Sequence, residues 1–153
     1  MADAITGQIQ CFSVPFPPNE LSPNARHHWT KVNKAKKLHQ RAVWVSLLEQ
    51  KIRKMGDARI GFEMVFYPPA NYAYDDDNLV RCMKGARDEI ARFIGVDDNI
   101  FCMAAPVISG VEPPLGRVAI TLRPSMVTLV SDSPSQSPHA PASCARTSPR
   151  ATA

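Results

Sequence analysis

The chain has 153 residues, 44% of them hydrophobic, and a formal net charge of +4. That length suits one domain able to bury a core without disulfide or metal staples, and no run approaches the roughly 18 to 20 apolar residues of a bilayer span. The opening Met1-Ala2-Asp3-Ala4 has neither a basic region nor a long apolar stretch, so no secretory signal is read there and the expectation is a cytoplasmic protein without a membrane partner.

Residues 8–14 read as a first strand, which Pro15, Pro17 and Pro18 end because proline cannot donate into a ladder. Residues 19–33 read as a loop bearing the patch Arg26-His27-His28-Trp29. Lys34 to Met55 is the first long helix, with Leu38, Ala42, Val45, Leu48, Ile52 and Met55 at steps of three or four on its core side, and Gly56-Asp57 as its stop. Trp44, within this helix, is expected in the core or at a dimer contact.

Residues 59–67 form a second strand, in which Ile60, Phe62, Met64 and Phe66 alternate with Gly61, Glu63 and Val65. After a loop at 71–77, a second helix covers residues 78–94 with Gly95 as its C-terminal cap. Residues 100–109 and 117–122 complete the pattern as two more strands. The order β-α-β-α-β-β predicts an α+β fold, a small mixed sheet with two main helices packed on it. From Pro124 on, Ser, Pro, Ala and Thr supply twenty of thirty residues, a composition that cannot offset ordering entropy by burial. The predicted organisation is a folded domain at 1–123 and a disordered tail at 124–153.

The four cysteines, Cys11, Cys82, Cys102 and Cys144, form no C-x-x-C pair, and no Cys/His spacing suggests zinc; they are expected as buried or idle thiols. The charge is unevenly spread. Residues 26–59 hold ten Lys/Arg against two acids, a balance of +8, whereas residues 60–123 hold six against nine, a balance of −3. A basic half beside an acidic cluster suits a protein that attracts a polyanion and holds a cation; the plainer reading is a solvated helix face.

The chemistry concentrates in Tyr74-Asp75-Asp76-Asp77-Asn78 before the second helix and Gly95-Val96-Asp97-Asp98-Asn99 after it. Carboxylates at i and i+2 of an extended loop point the same way, so Asp75 and Asp77 are placed to share one ion, with Asp97 or Asp98 joining them if the flanking strands are neighbours. An all-oxygen donor set fits Mg²⁺ or Mn²⁺ rather than zinc. The same residues also read as helix caps and a simple turn. Asp77, Arg81, Lys84 and Asp88 fall on one helical stripe, which places a cation near the acids or forms ordinary surface pairs.

These residues resemble the RusA family of Holliday junction resolvases. The likeness rests on Asp75-x-Asp77-Asn78, a lysine on the next helix, Asp88, and Gly95-x-Asp97-Asp98, together with Pro15-Phe16-Pro17-Pro18 and Ser22-Pro23-Asn24, and it spans roughly residues 12 to 123. It implies a homodimeric α+β nuclease that cuts four-way DNA junctions with Mg²⁺, in recombination and repair, in a phage or prophage setting. Carried over, Asp75, Asp77 and Asp98 are the catalytic and metal-binding acids. Lys84 is the catalytic lysine, keeping the family's spacing to Asp88; Arg81 is the alternative that needs no insertion after Asp77. Arg26, Lys31, Lys34, Lys36, Lys37, Arg41 and Arg81 are the expected DNA contacts. Two further readings compete: a DNA-binding protein without nuclease activity, and a D-x-D nucleotide-sugar transferase, which the short chain and missing glycine-rich loop disfavour.

Overall fold

The structure, a computed structural model, describes residues 8–56 and 59–124. Five strands, Gln10–Pro15 (β1), Ile60–Tyr67 (β2), Phe101–Met103 (β3), Val107–Ile108 (β4) and Arg117–Pro124 (β5), form one sheet, accompanied by three helices, Trp29–Glu49 (α1), Asp76–Cys82 (α2) and Lys84–Ile94 (α3). β5 lies between β1 and β2 and is antiparallel to both; β3 and β4 run parallel to β2 along its other side. The fold is α+β with mixed strand directions. The predicted disordered tail, Pro124 apart, lies outside the described residues.

Alternation in the strands decides which face is covered. Phe62, Met64 and Phe66 of β2 stand opposite Leu122, Ile120 and Val118 of β5, and Phe12 and Val14 of β1 extend two of these rows. All are buried. Val43 and Leu47 of α1, Leu79 of α2, and Ala86, Ile90, Ala91 and Ile94 of α3 close the core over that face. Each large apolar side chain contributes roughly 1.5–3 kcal/mol by leaving water, so this layer is what holds the helices to the sheet.

The edge strand β1 is bound to the chain after α1 by two side-chain amides, one from each segment. The Ser13 N–H donates to Gln50 Oε1 (2.8 Å), and Gln50 Nε2 donates to the Ser13 carbonyl (2.7 Å). Gln10 makes the matching pair with the Arg53 backbone, at 3.0 and 2.8 Å. The two amides tie the chain after α1 to β1 and obstruct strand addition at this edge.

Four expectations need correcting. α1 spans Trp29–Glu49 rather than 34–55. It starts early because His28 caps it, accepting the Thr30 N–H, and it ends early because Lys51 adopts a left-handed φ of 55°. Its core stripe is His39, Val43 and Leu47; Leu38, Val45 and Leu48, assigned to the core from the sequence, are exposed. The second helix is two helices, broken at Met83 and starting at Asp76. The strand at 100–109 is the pair β3 and β4, interrupted at Ala104-Ala105-Pro106, where proline has no N–H to offer β2. Of the cysteines described, Cys82 is buried, but Cys11 and Cys102 are exposed. Gly95, by contrast, caps α3 in the left-handed conformation (φ 80°) as its position implied.

Candidate functional site

The densest acids stand at the start of α2. Asp75 caps this helix: its Oδ1 accepts the Asp77 N–H (3.2 Å), and its Oδ2 accepts from Asn78 Nδ2 (3.1 Å). Asp76 and Asp77 fill the first turn, where the positive end of the helix favours carboxylates. The extended D-x-D segment expected from the sequence is therefore a capping turn. The helix start, rather than strand-like alternation, sets how Asp75 and Asp77 are presented. Both are exposed.

The proline-rich segment after β1 packs against this helix start. The Phe16 ring meets Tyr74 edge-on at 5.7 Å and Phe66 at 6.3 Å. Between the two segments lies a cavity of about 280 Å³, with Asn19, Ser22 and Asn24 on one wall and Asp75, Asn78 and Cys82 on the other. Burial pushes the Cys82 thiol up, which keeps it protonated and unreactive as part of that wall. Two of the segments singled out in the sequence, Phe16 to Asn24 and Asp75 to Asn78, thus line one cleft, while Asp97 and Asp98 lie beyond α3.

The second acid pair sits beyond α3. Asp97 caps a short 3-10 turn, accepting the Asn99 N–H at 3.0 Å. Asp98 lies 3.7 Å from the Arg87 guanidinium. Arg87 was not foreseen. It occupies a position in the apolar stripe Met83, Arg87, Ile90, Ile94, and a charged residue inside such a stripe is the signal that marked it. Its Nε is buried and has no hydrogen-bond partner among the described residues. Asp75 and Asp98 each have their own protein partner, and among the described residues no three His, Cys, Asp or Glu side chains form a group placed to hold a metal ion.

Arg81 and Lys84 are exposed on either side of the break at Met83, so Asp77, Arg81, Lys84 and Asp88 do not share one uninterrupted helix. The basic residues of α1 divide. Lys31 pairs with Glu20 (3.7 Å), and the Lys36 stem rests on Gly85 of α3, whose absent side chain makes room for it. Lys34, Lys37 and Arg41 are exposed along the outer side of α1, with no carboxylate within 4.0 Å among the described residues. Arg26 is exposed in the loop before the helix. No helix among the described residues is long and apolar enough to cross a membrane.

No protein-family model matches the sequence. The chain is 36% identical over 123 residues to an uncharacterized protein of Xylella fastidiosa (strain Temecula1 / ATCC 700964), a match covering 75% of this chain and 76% of that protein.

Proposed function

We propose that this chain, which belongs to one family with the Xylella fastidiosa protein, is a Mg²⁺-dependent endodeoxyribonuclease that resolves four-way DNA junctions by phosphodiester hydrolysis. The observation that supports this reading is the single cleft in which the Phe16–Asn24 segment meets Asp75 and Asn78 at the start of α2. Such a cleft sets amide and hydroxyl donors for a phosphodiester beside a carboxylate that would meet it only through a bound cation. The resemblance to RusA-type resolvases rests in part on these two segments and in part on a lysine, Asp88 and Gly95-x-Asp97-Asp98, which do not line the cleft.

The donor chemistry fits a hard divalent ion in part. Asp75 and Asp77 supply oxygen donors at one helix start, and Mg²⁺ needs only one or two carboxylates because it retains waters. Asp98, the third acid of the reading, is held by Arg87 instead. A bound Mg²⁺, or Mn²⁺ in its place, supplies an activated water and neutralises charge on the phosphate. The chain's own groups do the rest. Asn78 fixes the Asp75 carboxylate by its 3.1 Å hydrogen bond. Lys84, with Arg81 as the alternative, steadies charge on the leaving oxygen. Lys34, Lys37, Arg41, Arg26, Lys31 and Lys36 contact DNA phosphates, giving salt-dependent binding directed by shape. A two-fold homodimer would present two such sites to a two-fold junction.

The test is cleavage of a labelled four-way junction beside linear duplex, with Mg²⁺, with EDTA, and with Asp77→Asn. Paired cuts confined to the junction, dependent on Mg²⁺ and lost in Asp77→Asn, are the expected result. A second reading, a branched-DNA-binding protein without cleavage, is favoured by the structural engagement of Asp75 as a cap and of Asp98 as an ion-pair partner. Tight junction binding with no cuts in either metal decides for it.

A further inference from the structure

A broad concavity lies away from the acids at the start of α2, on the outer side of α1. A groove of about 1040 Å³ runs along that helix from Trp29 to Val45 and is bounded on its far side by Glu89 and Arg92 of α3. Its apolar lining is unusual for a solvent-facing surface: Trp29 is 68% exposed, Leu38 55% and Val45 50%. Trp44 shares this lining and is braced edge-on against Phe93 at 4.7 Å. Exposed apolar residues scattered singly need no account, but a contiguous patch rimmed by charge marks a binding surface.

The charge of the rim selects the occupant. Lys34, Lys37 and Arg41 border the groove without carboxylate partners among the described residues, and its one acid, Glu89, lies 3.9 Å from Arg92. A second copy related by a two-fold axis would bring two such cationic rows face to face, so like charges oppose that occupant. A polyanion satisfies the rim, but phosphate alone leaves the tryptophans and aliphatic side chains unmatched. Duplex DNA keeps its base faces stacked inside the helix. Unpaired bases offer both features at once, a phosphate backbone for the cations and flat apolar faces for the indoles.

We propose that the α1 groove binds single-stranded DNA, its bases stacking on Trp29 and against Leu38 and Trp44 while Lys34, Lys37 and Arg41 follow the backbone. This rests on reading α1 as the DNA-contacting surface of the proposed nuclease and adds what that surface recognises: nucleotides whose bases unpair when a branch point opens.

The chain's two tryptophans both line this groove, so intrinsic emission reports on it alone. The experiment titrates the full chain, in EDTA to prevent cleavage, with short oligo(dT) and separately with inorganic polyphosphate. Oligo(dT) is expected to quench emission saturably and less strongly as salt rises, and polyphosphate to leave it unchanged. Trp29→Ala is expected to weaken oligo(dT) binding about 5- to 150-fold, the range for loss of one stacked base, and Trp29→Phe to retain most of it. Three results overturn the proposal: no quench, equal response to both polyanions, or a concentration-dependent blue shift with a dimer mass in sedimentation, which gives the groove to a second copy. Asp77→Asn separates this inference from the nuclease reading. Quenching without junction cleavage by the wild-type chain defeats the nuclease alone; cleavage that is lost in Asp77→Asn but occurs without quenching defeats the groove alone.

Discussion

The outer side of α1 and the open face of the sheet both carry cations, and they treat them in opposite ways. On the sheet, Arg117 bonds Glu112 at 2.8 Å and Ser13 at 3.1 Å and lies 4.1 Å over the Tyr67 ring, its partner across β2 and β5. Arg123 on the same face bonds Glu63 at 2.9 Å. On α1, Lys34, Lys37 and Arg41 stand in a row beside exposed apolar side chains, and no acid of the described residues answers them. Cations with partners in the fold have little left to offer another molecule. A row of uncompensated cations raises the local potential, which only an external anion relieves. The net charge of +4 conceals this contrast, because it averages a neutralised face with a free one.

The most direct way to break the comparison is to remove the free row. Each phosphate contact to a single strand adds about 0.7 to the slope of log K against log salt. Lys34→Ala, Lys37→Ala and Arg41→Ala together should therefore lower that slope by about 2 and reduce oligonucleotide affinity about 100-fold at 0.1 M salt. Arg117→Ala with Arg123→Ala should leave both unchanged. Fluorescence anisotropy across a salt series measures the two sets side by side. Equal losses in both would mean that net charge, rather than its arrangement, drives binding.

Crossing α1 from its outer to its inner side gives a smaller and different effect. His39 is buried, and its Nε2 sits 3.0 Å from the Pro15 carbonyl; since the carbonyl can only accept, Nε2 carries the proton. Burial lowers the His39 pKa below its ordinary 6.5, against a smaller opposing effect of that hydrogen bond. The folded state thus binds fewer protons than the unfolded one over the window between the lowered value and 6.5. Stability is fully present above pH 6.5 and is lost as pH falls through that window. Thermal unfolding followed by circular dichroism should show Tm dropping below pH 6.5. His39→Gln, which keeps an N–H donor but does not titrate, should flatten that drop.

His39 also explains why one half of the fold was legible and the other was not. β2 could be read directly because one face is buried and the other is not, so Ile60, Phe62, Met64 and Phe66 announce themselves by alternation. α1 misleads because its buried stripe contains a histidine, whereas Leu38, Val45 and Leu48, one helical position away, form a more apolar stripe that faces outward. Hydrophobic periodicity finds the apolar side of a helix, and here that side faces the groove. Nor did the sequence mark the end of α1 or the break at Met83: Lys51 adopts the left-handed conformation without being Gly or Asn, and neither Gly nor Pro stands at residue 83. At the candidate site the acids were legible as a cluster, but their partners were not. Asp75 as a cap is local and was open as an alternative, whereas Arg87 and Asp98 meet only through the packing of α3 against the turn after it.

The smallest expected effect tests the other half of the comparison, that the open sheet face uses its cations for the fold. The Arg123 guanidinium donates to Glu63 at 2.9 and 3.5 Å, a two-point contact between β2 and β5, but both side chains remain about half exposed. Water screens such a pair, and holding two long side chains in place costs entropy, so Arg123→Ala should destabilise by only about 0.2–1 kcal/mol. Urea denaturation of Arg123→Ala, Glu63→Ala and the double variant isolates the pair's own energy from the effects of truncation. That energy should shrink as salt rises, since exposed charges are screened within about 10 Å at 0.1 M. A coupling energy of zero at low salt would leave Arg123 as uncommitted as the lysines of α1. The distinction between the two faces would then rest on Arg117 alone, which is held by Glu112, Ser13 and the Tyr67 ring together.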